Sequence, residues 1–138
     1  MYGVSRPTSG LDRPEDSSIF NQVLGHDLSF LYSNDKSGRV FWFVFEKLDK
    51  KHRIPNIPKF SDDDAVALAD RSSSVQMNDK VKFADIWKNR LAYKLVPLEE
   101  GLFRHWTWGR IVCMGDSIHK VWESHTVAKS ELTTTVDA

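Results

Sequence analysis

Apolar and polar positions alternate from Asp27 to Tyr32 around Leu28, Phe30 and Tyr32, which predicts a strand with one buried face. The next apolar stretch, Val40 to Phe45, is aromatic and β-branched throughout and predicts a second strand. Between them Ser33-Asn34-Asp35-Lys36-Ser37-Gly38 holds loop residues only, so the two strands are expected to pair as an antiparallel hairpin. Both alternating sets of the second strand are apolar: Val40, Trp42 and Val44 on one face, Phe41, Phe43 and Phe45 on the other. Both faces therefore want cover. Helices would supply it on one side, and the other side would either form the wall of an apolar ligand cavity or close as ordinary core.

Lys50 to Phe60 is a charged, proline-marked connection. It leads into Ser61-Asp62-Asp63-Asp64, where Ser61 and Asp64 have the spacing of a capping box and the acidic first turn suits the helix dipole. A helix is expected from Asp62 to Arg71, with the acidic triplet read as a solvated cap rather than a metal site. A second helix is predicted over Lys82 to Arg90, where Phe83, Ile86, Trp87 and Arg90 share a face and Asp79 is the candidate cap. Leu91 to Val96 reads as a strand closed by Pro97, and Leu98 to His105 as a turn or short helix leading into Trp106-Thr107-Trp108-Gly109. Ser5 to Ser18, rich in Pro, Ser, Asp and Gly, reads as an exposed loop. The whole is expected to be α+β, a mostly antiparallel sheet packed by helices.

Composition narrows the function classes. The 138 residues hold one domain's worth of core, and the 19 basic and 19 acidic residues cancel, which argues against a nucleic-acid or anionic-membrane partner. The lone cysteine, Cys113, lies in an apolar run and reads as a small hydrophobe in a reducing, cytoplasmic setting. Met1 to Gly10 shows no apolar leader core, and the longest apolar stretch, Val40 to Phe45, is too short to cross a bilayer. A metal reading of His119, Glu123 and His125 has no HExxH pattern behind it, and Ser117 lies outside any GxSxG elbow.

The chemistry that does emerge sits at Arg110 to Gly115, an apolar run read as a buried strand that stops on Gly115-Asp116. Glycine lets the backbone approach a ligand, and a carboxylate accepts hydrogen bonds from sugar-alcohol hydroxyls, as in the holding of a flavin ribityl chain. This run follows Arg39 to Leu48, Pro55-Asn56-Ile57-Pro58 and Leu98-Glu99-Glu100-Gly101 in order. Together these segments resemble the fungal FAD-dependent monooxygenases of meroterpenoid and indole-diterpene biosynthesis, from about Tyr2 to Lys120.

The resemblance implies a substrate-domain-like sheet with helices over 1–109, a flavin-domain strand with the Gly-Asp motif over 110–120, and a divergent tail over 121–138. It implies FAD as cofactor, NAD(P)H and O2 as co-substrates, and an apolar terpenoid-type substrate lying over the sheet that carries Phe41, Trp42, Phe43 and Phe45. Asp116 matches the ribityl aspartate, Gly115 is the close-approach glycine, and His119 and Lys120 complete the Gly-Asp-Ser-x-His-Lys run. After Lys120 the family's Met-Thr-Pro-Asn and Gly-Gln-Gly helix start are replaced by Val121-Trp122-Glu123-Ser124, and no GxGxxG occurs among these residues. The expectation is a truncated member, or a reading frame running through an intron after Lys120. A companion chain would then carry the flavin-binding half. The alternative is a non-catalytic remnant that binds a ligand or a partner through the sheet. Separated from a flavin domain, the strand at 110–115 would expose an apolar edge that favours association.

Overall fold

The computed structural model describes residues 1–11 and 20–120. Its strands are β1 (Tyr2–Ser5), β2 (Asn21–Leu24), β3 (Leu28–Asn34), β4 (Val40–Glu46), β5 (Arg90–Lys94), β6 (Gly101–Leu102), β7 (Thr107–Trp108), β8 (Ile111–Val112) and β9 (His119–Lys120). The helices are α1 (Asp62–Ser72) and α2 (Phe83–Lys88). The chain divides into two units, Met1–Pro97 and Leu98–Ala138. The α+β class and the antiparallel sheet are as expected. No helix among the described residues is long and apolar enough to cross a membrane.

In the first unit the five strands are ordered β2-β3-β4-β1-β5. The predicted hairpin is its centre: β3 pairs antiparallel with β4 from Leu28↔Glu46 to Asn34↔Val40. β1 runs antiparallel to both β4 and β5. β4 and β5 are therefore parallel to each other, and their connection, which includes α1 and α2, is the long crossover that parallel strands require. The helices cover the face that carries Phe30, Tyr32, Val40, Trp42 and Val44, and they contribute Ala65, Leu68, Ala69, Phe83 and Ile86 to one core. Trp42 packs edge-on against Phe83 at 5.3 Å between ring centroids and against Trp87 at 6.0 Å.

Local chemistry starts both helices. Ser61 Oγ accepts from the Asp64 amide at 3.2 Å, and Asp64 accepts from the Ser61 amide at 2.7 Å, forming the predicted capping box. A cap of this kind is worth about 1 kcal/mol. The start of α2 differs from expectation. Asp85 rather than Asp79 performs the capping, accepting from the Lys82 amide at 2.9 Å, because a side chain three residues inside a helix reaches back to the N-cap amide.

The hairpin loop is organised by one carboxylate. Asp35 accepts from the Ser37 hydroxyl at 2.7 Å, the Ser37 amide at 2.9 Å, the Arg39 amide at 3.0 Å and Arg39 Nε at 2.8 Å. The Ser37 hydroxyl, with Arg39 behind it, lowers the Asp35 pKa to about 2. Because the folded value lies below the ordinary 3.8, the stabilisation is complete above that pH and is lost as pH falls through about 2. A carbon-detected titration of the Asp35 carboxyl is expected to show a midpoint near 2, and a midpoint at the ordinary value would remove this account of the loop.

One sequence expectation near the start of this unit changes. Ser5 is buried at the end of β1, and Thr8 and Leu11 are buried too, so the opening of the presumed exposed loop is anchored in the structure. The rest of that loop, Asp12 to Ser18, lies outside the described residues.

In the second unit, the segment read as a buried strand is instead a two-residue strand, β8, paired only with β7 across the turn at Gly109. Ile111 and Val112 are each 63 % exposed and Met114 is 77 % exposed. Among the described residues β7 and β8 form a two-stranded ribbon that joins no larger sheet, and the apolar pattern stays exposed. The exposed apolar edge foreseen for this segment is present. Leu98 to His105, expected as a turn or short helix, contains β6, which pairs with β9.

Candidate functional site

The uncovered face of the five-stranded sheet is the most distinctive surface of the first unit. Alternation places Phe41, Phe43 and Phe45 opposite Val40, Trp42 and Val44, and the helices cover only the second set. Phe41 and Phe43 remain 42 % and 39 % exposed. The Phe43 and Phe45 rings stack at 5.9 Å with a 4° interplanar angle, and Tyr2 approaches Phe43 at 6.2 Å. Arg39 lies over the Phe41 ring at 5.9 Å. In the register, Val4 lies beside Phe41 on β1, and Leu31 lies beside Phe43 on β3. The result is a broad, mostly apolar wall with aromatic rings at its centre, suited to a flat apolar ligand. Trp42, grouped with these aromatics by sequence, is fully buried on the helix side and takes no part in this wall.

Sequence reasoning missed the contribution of β1. Tyr2 and Val4 belong to the same face, and the signal was the brief alternation Tyr2-Gly3-Val4 at the start of the chain. Gly3, between them, faces the core directly under the Trp42 indole. A depression lined by Asp62, Lys88, Arg90, Leu91, Ala92 and Tyr93 lies beside β5. It mixes one carboxylate with two cations and includes none of the aromatic wall residues, so the wall and not this depression is the candidate site of the unit.

In the second unit Gly115, Asp116 and Ser117 form a 3₁₀ turn between β8 and β9. Gly115 has φ +61°, a left-handed conformation that favours glycine, and a Cβ built there meets no atom within 4 Å. Ser117 locks the turn: its hydroxyl donates to the Met114 carbonyl at 2.7 Å and accepts from the Met114 amide at 3.1 Å. That engagement leaves Ser117 with a structural role. Asp116 is exposed beside it. An open glycine backbone and an adjacent solvent-facing carboxylate fit a polyol chain, whose hydroxyls would donate to the carboxylate. The same residues do not fit a pyrophosphate, which needs backbone amides at a glycine-rich helix start.

His119 lies in β9, paired with Leu102. Among the described residues no cluster of three or more His, Cys, Asp or Glu side chains is placed to hold a metal ion. Glu123 and His125, which the spacing argument had joined to His119, lie outside the described residues. Cys113 is a free, half-buried thiol.

No protein-family model matches the chain, and no solved structure matches it. Curated sequences do. The chain is 40 % identical over 120 residues to the FAD-dependent monooxygenase cdmI of Talaromyces verruculosus, covering 87 % of this chain and 24 % of that protein. It is 40 % identical over 121 residues to the FAD-dependent monooxygenase spyC of Aspergillus fumigatus, covering 88 % of this chain and 25 % of that one. Against the FAD-dependent monooxygenase anuJ of Penicillium roqueforti it is 38 % identical over 124 residues, 88 % of this chain and 15 % of the relative. The chain thus spans a quarter or less of the length of these relatives.

Proposed function

Since the chain is a relative of the fungal FAD-dependent monooxygenases over a quarter or less of their length, we propose that it provides the substrate-facing sheet of a flavin monooxygenase. The substrate class we infer is an apolar, polycyclic, terpenoid-type metabolite. The observation that carries this reading is the face of β4 left open by the helices, where Phe41, Phe43 and Phe45 join Tyr2 in one aromatic surface. Such a surface holds a flat hydrocarbon by dispersion and by release of water, and it keeps water from the reacting face of the ligand.

Bound FAD, with NAD(P)H and O2, would supply the oxygen-transfer chemistry. This chain's own part toward the cofactor falls to Asp116 and Gly115. The Asp116 carboxylate would accept from ribityl hydroxyls, and the open space over Gly115 would admit the polyol backbone. These 138 residues contain no GxGxxG, so the pyrophosphate and adenosine would need groups that a further polypeptide supplies.

The visible absorption spectrum after incubation with FAD and removal of free ligand tests this directly. Protein-bound flavin that falls at least about tenfold in Asp116→Ala is the expected result, since a hydrogen bond to a charged group is worth about 1.5–3 kcal/mol. Flavin retained equally by both proteins would exclude Asp116 as its ligand. No flavin in either would favour a second reading, a binding module that keeps the sheet without the cofactor, which the absence of a phosphate loop supports.

A further inference from the structure

The connection between β4 and α1 has a surface chemistry that neither the aromatic wall nor the Gly-Asp turn uses. From position 47 to 59 it carries Lys47, Lys50, Lys51, Arg53 and Lys59 against the single carboxylate Asp49. Five cations less one anion leave this segment at +4, and because the whole chain is neutral the remaining residues carry −4. A zero net charge over the whole chain therefore coexists with a locally cationic segment. Every residue from Glu46 to Asn56 is exposed. Glu46, at the root of the loop, is already held by Arg71 through contacts of 2.9 and 3.0 Å and does not serve as the loop's counter-charge. At the same root Asp27 is paired with His26 at 3.0 Å, with Lys47 a lesser influence on its carboxylate.

Charge alone would describe a solvated loop, but this one also exposes apolar side chains. Leu48 is 42 % exposed and Ile54 is 68 % exposed. Ile54 lies next to Arg53 in a turn closed by the Asn56 amide donating to the Arg53 carbonyl at 2.7 Å. The loop contains no Phe, Tyr or Trp on which a base could stack. Cations that attract an anionic surface, with aliphatic groups among them to enter it, form the combination that holds a protein on a lipid interface.

We propose that the loop at 47–59 docks this protein on an anionic membrane surface, with Lys50, Arg53 and Lys59 facing the headgroups and Leu48 and Ile54 entering the acyl boundary. The proposal stands on the loop alone and is independent of the flavin reading.

Flotation with phosphatidylcholine vesicles, with and without phosphatidylserine, tests it, because floating vesicles are separated from any aggregated protein. The expected result is flotation only with phosphatidylserine, abolished by high salt. Neutralising Lys50, Arg53 and Lys59 together to Gln should weaken partitioning on the order of 100-fold, at roughly 1 kcal/mol for each charge. Leu48→Ser with Ile54→Ser should weaken it as well, while all variants melt as the parent does. Absence of phosphatidylserine-dependent flotation would overturn the proposal, and so would a triple-Gln protein that floats like the parent. Flotation unchanged by the two serine substitutions, with equal loss of vesicle and oligonucleotide binding in the triple-Gln protein, would also overturn it, since the loop would then be a general polyanion contact.

Discussion

Gly3→Ala is expected to destabilise the first unit by about 3 kcal/mol, an effect out of proportion to one methyl group. A Cβ at this position would lie 2.3 Å from Trp42 Cζ2 and 2.6 Å from the Ala92 carbonyl oxygen. The two contacts have different remedies. The indole is a side chain and could tilt, but it is fully buried and held by Phe83 and Trp87, so tilting disturbs the core. The carbonyl is backbone of β5, paired to β1 in the register Val4↔Ala92, and moving it opens the ladder at the edge of the sheet. Urea denaturation of Gly3→Ala, alone and combined with Trp42→Phe, separates the two. The smaller ring should recover part of the loss, leaving the share that the carbonyl imposes. A Gly3→Ala protein within about 0.5 kcal/mol of the parent would show that β1 and β5 are not packed as described.

The second large effect belongs to Trp42 itself. Trp42→Ala is expected to cost about 4 kcal/mol, because it removes the largest fully buried side chain among the described residues and leaves a cavity beneath two further rings. For a domain whose total stability is typically about 5–15 kcal/mol, that approaches unfolding. The indole also ties three elements together. Trp42 Nε1–H donates to Ser5 Oγ at 2.9 Å, and Ser5 Oγ–H donates to the Ile86 carbonyl at 2.8 Å, joining β4, β1 and α2. Ser5→Ala leaves the indole N–H without a partner, whereas the Ile86 carbonyl keeps the Asn89 amide at 3.2 Å. Its cost should therefore be near 2 kcal/mol, and Trp42→Phe should erase most of it by removing the orphaned donor. A strictly additive cycle would mean that the hydroxyl and the indole do not depend on each other. Near-UV circular dichroism of the tryptophan band gives an independent reading of the same packing.

Some elements could be read from local sequence because their causes are local. The β3–β4 hairpin follows from period-two alternation on either side of a polar loop, and Asp35, four residues before Arg39, organises that loop from within. The start of α1 follows from Ser61 and Asp64, whose capping box closes within four residues. The apolar character of both faces of β4 was equally plain.

Other elements depend on partners distant in sequence. β1 is four residues long and contains a glycine, a composition that argues weakly for a strand, yet it lies inside the sheet because β4 and β5 pair with it on both sides. The capping of α2 went to Asp85 because the helix begins at Phe83, a boundary set by burial of Phe83 and Ile86 against the sheet. At Ile111 and Val112 an apolar pattern was read as burial. A pattern states only what a segment would bury if a neighbour were present, and among the described residues β8 pairs with a two-residue strand alone.

By itself the sequence determined that β4 is apolar on both sides, that a glycine and a carboxylate stand together at 115 and 116, and that cations crowd the segment from 47 to 59. Those are properties of residue type and spacing, and they hold whatever the chain packs against. Only the tertiary structure decided which face of β4 the helices cover. The crossover from β4 to β5 brings α1 and α2 to the side of Val40, Trp42 and Val44, and it leaves Phe41, Phe43 and Phe45 as the open wall. That choice rests on long-range packing among Trp42, Phe83, Trp87 and Ser5, and no local window of sequence contains those partners together.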